Sequence, residues 1–335
     1  MPILLSEQDV RIVLTMDDLI AAMHTAVVQF STRHAAQPLR PVIEVGLQRA
    51  FFGVMPAHIP ETAERGETGG VASLGAKLVT VFGSNSAIGL PTHLATIVLL
   101  DPATGELLAV MDGRFITEAR TAAVSAVATK LLAREDARTL AVIGSGVQAR
   151  SHVDAIRRVR DLRAVRVWSP NEEHRALFAR EMQPRAKVPV KPCASAQDAL
   201  ESADIVVLAT SSREPVVRSE WIRDGAHICA VGACRPDQRE MDTALVARGR
   251  LFVDSRSGAL AEAGDVVLGI EDGGFDETHI AGELGELAAG GVTGRQAPGD
   301  VTIFKSLGMA VEDVAAAHLA YTKAAERGLG RGFVL

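Results

Sequence analysis

Residues 139–152 read Thr-Leu-Ala-Val-Ile-Gly144-Ser145-Gly146-Val147-Gln148-Ala149-Arg150-Ser151-His152. An apolar strand runs directly into Gly144-x-Gly146-x-x-Ala149, and a helix-like segment follows. This is the turn that cradles a dinucleotide pyrophosphate. Gly144 permits the tight turn, Gly146 lets the backbone approach the phosphates, Ala149 keeps the helix close to the strand, and the helix N-terminus offers N–H donors. Ser145, Val147 and Gln148 lie in the same turn. A dinucleotide of the nicotinamide kind points to hydride transfer.

Downstream of this turn, strands and helices alternate. The pattern predicts helix Val147–Arg160, strand Ala164–Trp168, helix Glu172–Met182, strand Val188–Val190, helix Ala196–Ser202 and strand Ile205–Ala209. Strands Ala226–Val231 and Leu251–Val253 complete a parallel set, which makes this part α/β, a Rossmann-type doubly wound parallel sheet. Phe304–Ala325 reads as a last helix, and Gly-Leu-Gly-Arg-Gly as a frayed end. Upstream, Ser6 and a periodic apolar pattern through Val28 predict one or two helices. Strand-like runs follow at Pro41–Val45, Ala50–Met55, Leu74–Phe82, Leu94–Leu100 and Leu107–Met111, with Asp101–Gly105 as a hairpin turn and Glu61–Gly70 as an exposed flap. Glu118–Leu132 is an Ala-rich helix. This first region is expected to be α+β, with an antiparallel sheet.

The 335 residues suit about two domains. A hydrophobic content of 47% with 23% charged residues is that of a soluble globular chain. The formal net charge of −6 argues against a nucleic-acid partner. No apolar run reaches the length of roughly 18 residues that a membrane span needs, and the first residues lack the pattern of a signal peptide. Cys193, Cys229 and Cys234 show no Cys-x-x-Cys spacing, so a reduced, cytoplasmic setting is expected. No metal-ligand spacing stands out.

At the end of the second strand of the nucleotide unit, an enzyme that uses NAD usually carries an acid for the ribose hydroxyls. Here the residues are Trp168-Ser169-Pro170-Asn171, with His174 and Arg175 one turn on. The missing carboxylate favours NADPH and leaves NADH possible. Lys77 interrupts an apolar strand, which is costly unless an anion pairs with it; the alternative is a lysine on the solvent face. Arg40 and Arg120 suit a carboxylate, or else serve as surface ion-pair partners. His93 follows a proline beside a strand. Glu262-Ala-Gly-Asp265 offers a carboxylate or is an ordinary polar loop.

Several stretches resemble the ornithine cyclodeaminase/mu-crystallin family, and most of all its mu-crystallin and ketimine-reductase branch. They are Gly53-Val-Met-Pro-Ala57, Ala76-Lys-Leu-Val79, Leu108-Ala-Val-Met-Asp-Gly113, Arg120-Thr-Ala-Ala-Val-Ser-Ala126, Gly146-Val-Gln-Ala149, Gly225-Ala-His-Ile228, Ala230-Val-Gly-Ala-Cys-Arg-Pro-Asp237 and Phe304-Lys-Ser-Leu-Gly-Met-Ala-Val-Glu-Asp313. The resemblance implies a homodimer. Residues 1–118, completed by a helix from 314 to 335, would bind substrate and form the interface, and residues 119–313 would form the NAD(P) domain. It implies that Arg40, Lys77 and Arg120 hold a substrate carboxylate. It places Thr92, His93, Arg120, Thr121, Gly144, Ser145, Gly146, Val147, Gln148, Ser169, Pro170, Asn171, Gly232, Cys234 and Lys305 at or beside the cofactor.

True cyclodeaminases carry an aspartate where this chain has Cys234, and a thiol is a poor general base unless its pKa is lowered. The expected activity is therefore NAD(P)H-dependent reduction of small cyclic imino acids, Δ1-pyrroline-2-carboxylate and Δ1-piperideine-2-carboxylate, to proline and pipecolate. Ornithine cyclodeaminase, an alanine-type amino-acid dehydrogenase and a non-catalytic NADP-dependent ligand binder stay open as alternatives.

Overall fold

The computed structural model describes residues 1–46, 50–61 and 71–334. Most of the expected flap at Glu61–Gly70 lies outside them. The chain divides at 120/121 and 308/309, against expected divisions at 118/119 and 313/314; one unit is Met1–Arg120 with Met309–Leu335, the other Thr121–Gly308.

The first unit starts with β1 (Ile3–Leu5), α1 (Glu7–Val13) and α2 (Met16–Ser31). Both helices begin on side-chain caps: Ser6 accepts from the Asp9 N–H and Thr15 from the Asp18 N–H, which satisfies amides the helix leaves open. Strands β2 (Val42–Val45), β3 (Ala50–Ile59), β4 (Ser73–Val81), β5 (His93–Leu100) and β6 (Leu107–Asp112) follow, then α3 (Arg114–Leu132). Neighbouring strands from β2 to β6 pair antiparallel, as expected.

In the second unit, β7 (Thr139–Ile143) leads into α4 (Val147–Val159), then β8 (Ala164–Trp168), α5 (Glu172–Ala186), β9 (Val190–Pro192), α6 (Ala196–Leu200), β10 (Ile205–Leu208) and β11 (His227–Ala230). After these come α7 (Thr243–Arg248), β12 (Arg250–Val253), α8 (Arg256–Glu262), α9 (Gly264–Glu271), β13 (Ile280–Glu283), α10 (Leu284–Ala288) and β14 (Thr302–Lys305). The sheet order is β13-β12-β14-β11-β10-β7-β8-β9, and every pairing is parallel. Successive strands move one way from β7 through β8 to β9, and the other way from β10. The order therefore reverses between β7 and β10, the place where doubly wound sheets bind ligands.

The chain then returns to the first unit with α11 (Ala310–Glu326) and β15 (Arg331–Gly332). Three expectations change here. Phe304 and Lys305 belong to a buried central strand, and the last helix starts only at Ala310. The glycine-rich end forms β15, antiparallel to β1. β1 itself runs parallel to β6, so the first sheet is mixed. One face of that sheet carries Met55, Lys77, Ile97 and Met111 in register and is buried; α11 packs on its strands β3, β4 and β5.

Candidate active site

In the first unit, Lys77 points into the buried face of β4 and is 1% exposed. Its Nζ lies 2.5 Å from Asp313 Oδ2 and donates to Thr117 Oγ1 at 3.3 Å. The other Asp313 oxygen accepts from Arg120 Nε at 2.9 Å, and Arg120 Nη1 reaches Glu312 Oε2 at 2.6 Å. Both acids stand in the first turn of α11, where the helix dipole favours negative charge. Glu312 also accepts from the Met309 N–H at 3.2 Å. The sequence marks Lys77 as needing an anion. It does not identify Asp313, because the partners lie at opposite ends of the chain.

Burial pulls the Lys77 pKa down, Asp313 resists, and Arg120 and Arg40 add to the fall, which ends at about 8. Burial pushes Asp313 up, but Arg120 and Lys77 outweigh it and hold the carboxyl ionised below its ordinary value. His93, at the start of β5, is lowered to about 4 by burial and then by Lys77 and Arg120. It is neutral near pH 7. Arg40 lies just ahead of β2 and is half-buried, while Thr92 is exposed in the turn before β5. The unit thus gathers Lys77, Arg120, Arg40 and His93 around two acids. Such a cluster can orient an anion and give or take a proton.

In the second unit, Gly144 has φ +117, and a Cβ there would stand 2.4 Å from the Ala209 carbonyl oxygen. Only glycine lets the loops after β7 and β10 come this close. Gly146 caps α4 with no side-chain hydrogen bond, and nothing lies within 4 Å of where its Cβ would be. Gln148 Oε1 is buried with no hydrogen-bond partner among the described residues. An open backbone turn and an uncapped helix start, which offers N–H donors, fit a dinucleotide pyrophosphate; the Gln148 side-chain carbonyl oxygen, an acceptor, fits a hydroxyl or N–H donor instead. Val147, the first residue of α4, is exposed beside them, and Thr121 is buried in α3.

Ser145 Oγ donates to Ser169 Oγ at 3.0 Å, joining the turn to the end of β8. Ser169 Oγ donates to the Asn171 carbonyl, Asn171 caps α5, and Pro170 between them is exposed. Arg175 Nη1 donates to the Ser169 carbonyl at 3.1 Å. These contacts leave the strand end without an acid and with a guanidinium close by.

The loop after β11 holds Gly232 and Cys234. A Cβ on Gly232 would meet the Thr210 carbonyl oxygen at 2.1 Å, so this loop lies against the one after β10. Glu240, which sequence reading passes over, ties the two together. Its Oε1 accepts from the Thr210 N–H at 2.7 Å and its Oε2 from the Gly232 and Ala233 N–H groups at 2.8 and 3.2 Å. Asp265 accepts from the Glu240 and Met241 N–H groups and lies 3.0 Å from Lys305 Nζ. Of the two carboxylates offered by Glu262–Asp265, the Asp265 one is thus a buried structural tie. Lys305 ends β14 fully buried and paired. Burial alone would lower its pKa, but Asp265, Cys234 and Glu240 raise it above the ordinary value. The Cys234 thiol donates to the Val231 carbonyl at 3.3 Å.

The model of the ornithine cyclodeaminase/mu-crystallin family matches residues 1–328. Ketimine reductase mu-crystallin of Mus musculus is 44% identical over 285 residues, covering 85% of this chain and 84% of its own length. Delta(1)-pyrroline-2-carboxylate reductase of Bacillus cereus is 36% identical over 329 residues, 98% of either chain. Among solved structures, the Thermococcus litoralis Delta(1)-pyrroline-2-carboxylate reductase in complex with NADH and L-proline superposes with a TM-score of 0.94 at 40% identity, over 99% of this chain and 100% of that one.

Proposed function

The chain belongs to the ornithine cyclodeaminase/mu-crystallin family, and from that premise we propose that it is an NAD(P)H-dependent reductase of cyclic ketimine carboxylates. Its substrates are Δ1-pyrroline-2-carboxylate and Δ1-piperideine-2-carboxylate, its products proline and pipecolate. The buried Lys77–Asp313–Arg120–Glu312 cluster carries this reading. Arg120 is fixed by two carboxylates, so it meets a substrate carboxylate without reorganising. Arg40 adds the second cation of the clamp, and each charge-assisted bond contributes about 1.5–3 kcal/mol. Lys77 adds positive charge and passes a proton. The reduced nicotinamide, bound by the Gly144–Gln148 turn, supplies the hydride. Cys234 stands where a cyclodeaminase carries its aspartate, and its thiol is turned to a backbone carbonyl; this argues against the redox-neutral reaction.

NADPH is the preferred cofactor in this reading. Ser169 presents no negative charge to a 2′-phosphate, and Arg175 lies against it. The protein works as a cytoplasmic homodimer. None of its three cysteines is in a disulfide, and no single helix among the described residues is long and apolar enough to cross a membrane. The outward face of the first sheet carries Phe52, Val54, Leu78, Leu94, Val98 and Val110 in register, half-exposed or exposed. A second copy of the same face matches such a patch. Sedimentation should show the dimer, and Leu78→Glu with Leu94→Glu should give monomers.

The activity test is loss of reduced-cofactor absorbance with each imine, using NADPH and NADH. Turnover with both imines and a lower KM for NADPH are expected. No turnover of either imine, together with ammonia release from ornithine, would overturn the reading.

A further inference from the structure

Lysine is scarce in this chain: Lys77, Lys130, Lys187, Lys191, Lys305 and Lys323 are all there are. Two of them, Lys77 and Lys305, are almost wholly buried. For an inert ion pair arginine serves as well; lysine differs in that it can give up its proton when buried. We propose that Lys77 and Asp313 form one proton-donating unit, in which Asp313 keeps the Lys77 ammonium charged until the substrate nitrogen takes the proton. The proposal rests on the reductase reading and adds to it the residue that sets the donor's acidity.

Asp313 touches the donor directly, 2.5 Å from Nζ, and its second oxygen is held by Arg120 at 2.9 Å. Because Arg120 and Lys77 hold it ionised, Asp313 has no proton to give and acts only as the counter-charge. The groups that face Lys77 come from four places. Asp313 comes from α11, and Thr117 comes from α3 with Arg120, which Glu312 of α11 pairs in turn. Arg40 stands ahead of β2, and His93 begins β5. His93 is neutral near pH 7, with a pKa of about 4. Arg120 and Arg40 push the ammonium toward deprotonation, and burial does so most strongly. Asp313 is the principal group pulling the other way, and the balance leaves Lys77 near 8. That value suits a donor working near neutral pH.

The step balances. The hydride brings its electron pair to the imine carbon and forms the new C–H bond. The C=N π pair moves to nitrogen and forms the new N–H bond with the proton from Lys77. The Lys77 N–H bond breaks, its pair stays on Nζ, and the neutral amine later regains a proton from water.

The decisive measurement is an NMR titration of protein labelled with 13C at lysine Cε, where six signals suffice and Lys77→Arg assigns the one of interest. Lys77 is expected to titrate near 8 in the native protein and at least one pH unit lower in Asp313→Asn, whose amide oxygen still accepts from Arg120. The basic limb of kcat/KM should move by the same amount in the same direction. A variant that loses stability or kcat while both titrations stay in place would reduce Asp313 to a structural role and overturn the proposal. Glu312→Gln should move the Lys77 signal less than Asp313→Asn does; an equal or larger shift would also overturn it. If Asp313→Asn does not fold, the native protein still decides. The Asp313 carboxyl carbon should show a step at the pH where Lys77 titrates, and separate steps would refute the coupling. The NMR readings need no turnover. A protein with the shared step that reduces no imine would lose the reductase reading and keep the coupled pair.

Discussion

Each of the two units buries a lysine against an aspartate, and the two lysines end in opposite states. Lys77, with Asp313, is lowered to about 8; Lys305, with Asp265, is raised. Burial pulls both down. The difference lies in the second neighbours, which are the cations Arg120 and Arg40 around Lys77 but the acid Glu240 and Cys234 around Lys305. An ion pair surrounded by further cations gives up its proton readily, whereas one surrounded by acids keeps it. The first suits chemistry. The second suits holding loops in place, since Asp265 also accepts the Glu240 and Met241 N–H groups, and Glu240 fixes the loops after β10 and β11.

The strongest way to break this contrast is to remove each ammonium in turn. Lys77→Met should lower kcat/KM by about 10²–10⁴, the usual worth of a positioned proton donor, with NADPH affinity in a fluorescence titration unchanged within about twofold. Lys305→Met leaves Asp265 buried without its cation and should cost about 3–5 kcal/mol of stability in urea unfolding, while each folded molecule keeps most of its turnover. If the two variants exchange phenotypes, the division of labour is wrong.

A pH series sharpens the contrast further. With Lys77 as the proposed proton donor, kcat/KM of the native protein should fall about tenfold per unit above a pH of about 8. Stability should show opposite signs. The folded pKa of Lys77 lies below its unfolded value of 10.5, so the unfolded chain binds more protons between about 8 and 10.5 and this group makes stability rise with pH there. Lys305 is raised in the folded state, so its contribution is complete below 10.5 and is lost as pH climbs through the raised value. Comparing unfolding free energies of Lys77→Met and Lys305→Met with the native protein across that window separates the two slopes. The smallest effect belongs to the nucleotide turn. Ser169→Asp should weaken NADPH relative to NADH by about tenfold, about 1.4 kcal/mol, and leave the basic limb set by Lys77 where it was.

What the sequence displays of all this follows from how far apart the interacting residues lie. The Gly144–Ala149 turn is legible because strand, glycines and helix are adjacent. The cost of Lys77 in an apolar strand is legible too. Its partner is not, since Asp313 follows the whole second unit, and the Glu240 tie rests on backbone amides that no side-chain pattern records. Thr302–Lys305 is buried along its whole length; a short run with no alternation cannot be told from helix by its period, so it merges with the helix that follows. Ile3–Leu5 and Arg331–Gly332 are too short to signal anything except through each other.

The discontinuity of the first unit has a consequence for synthesis. When residues 1–308 have left the ribosome, the second unit is entire, yet Lys77 and Arg120 still lack both carboxylates. Uncompensated cations on the buried sheet face (Lys77) and on α3 (Arg120) oppose closure, and the strands β3, β4 and β5 have no α11 to pack on. The nascent chain therefore makes its nucleotide-binding half first and cannot seal its cationic half until the last helix emerges. A message that ends just after codon 308 yields a protein with a folded second unit and an open first one.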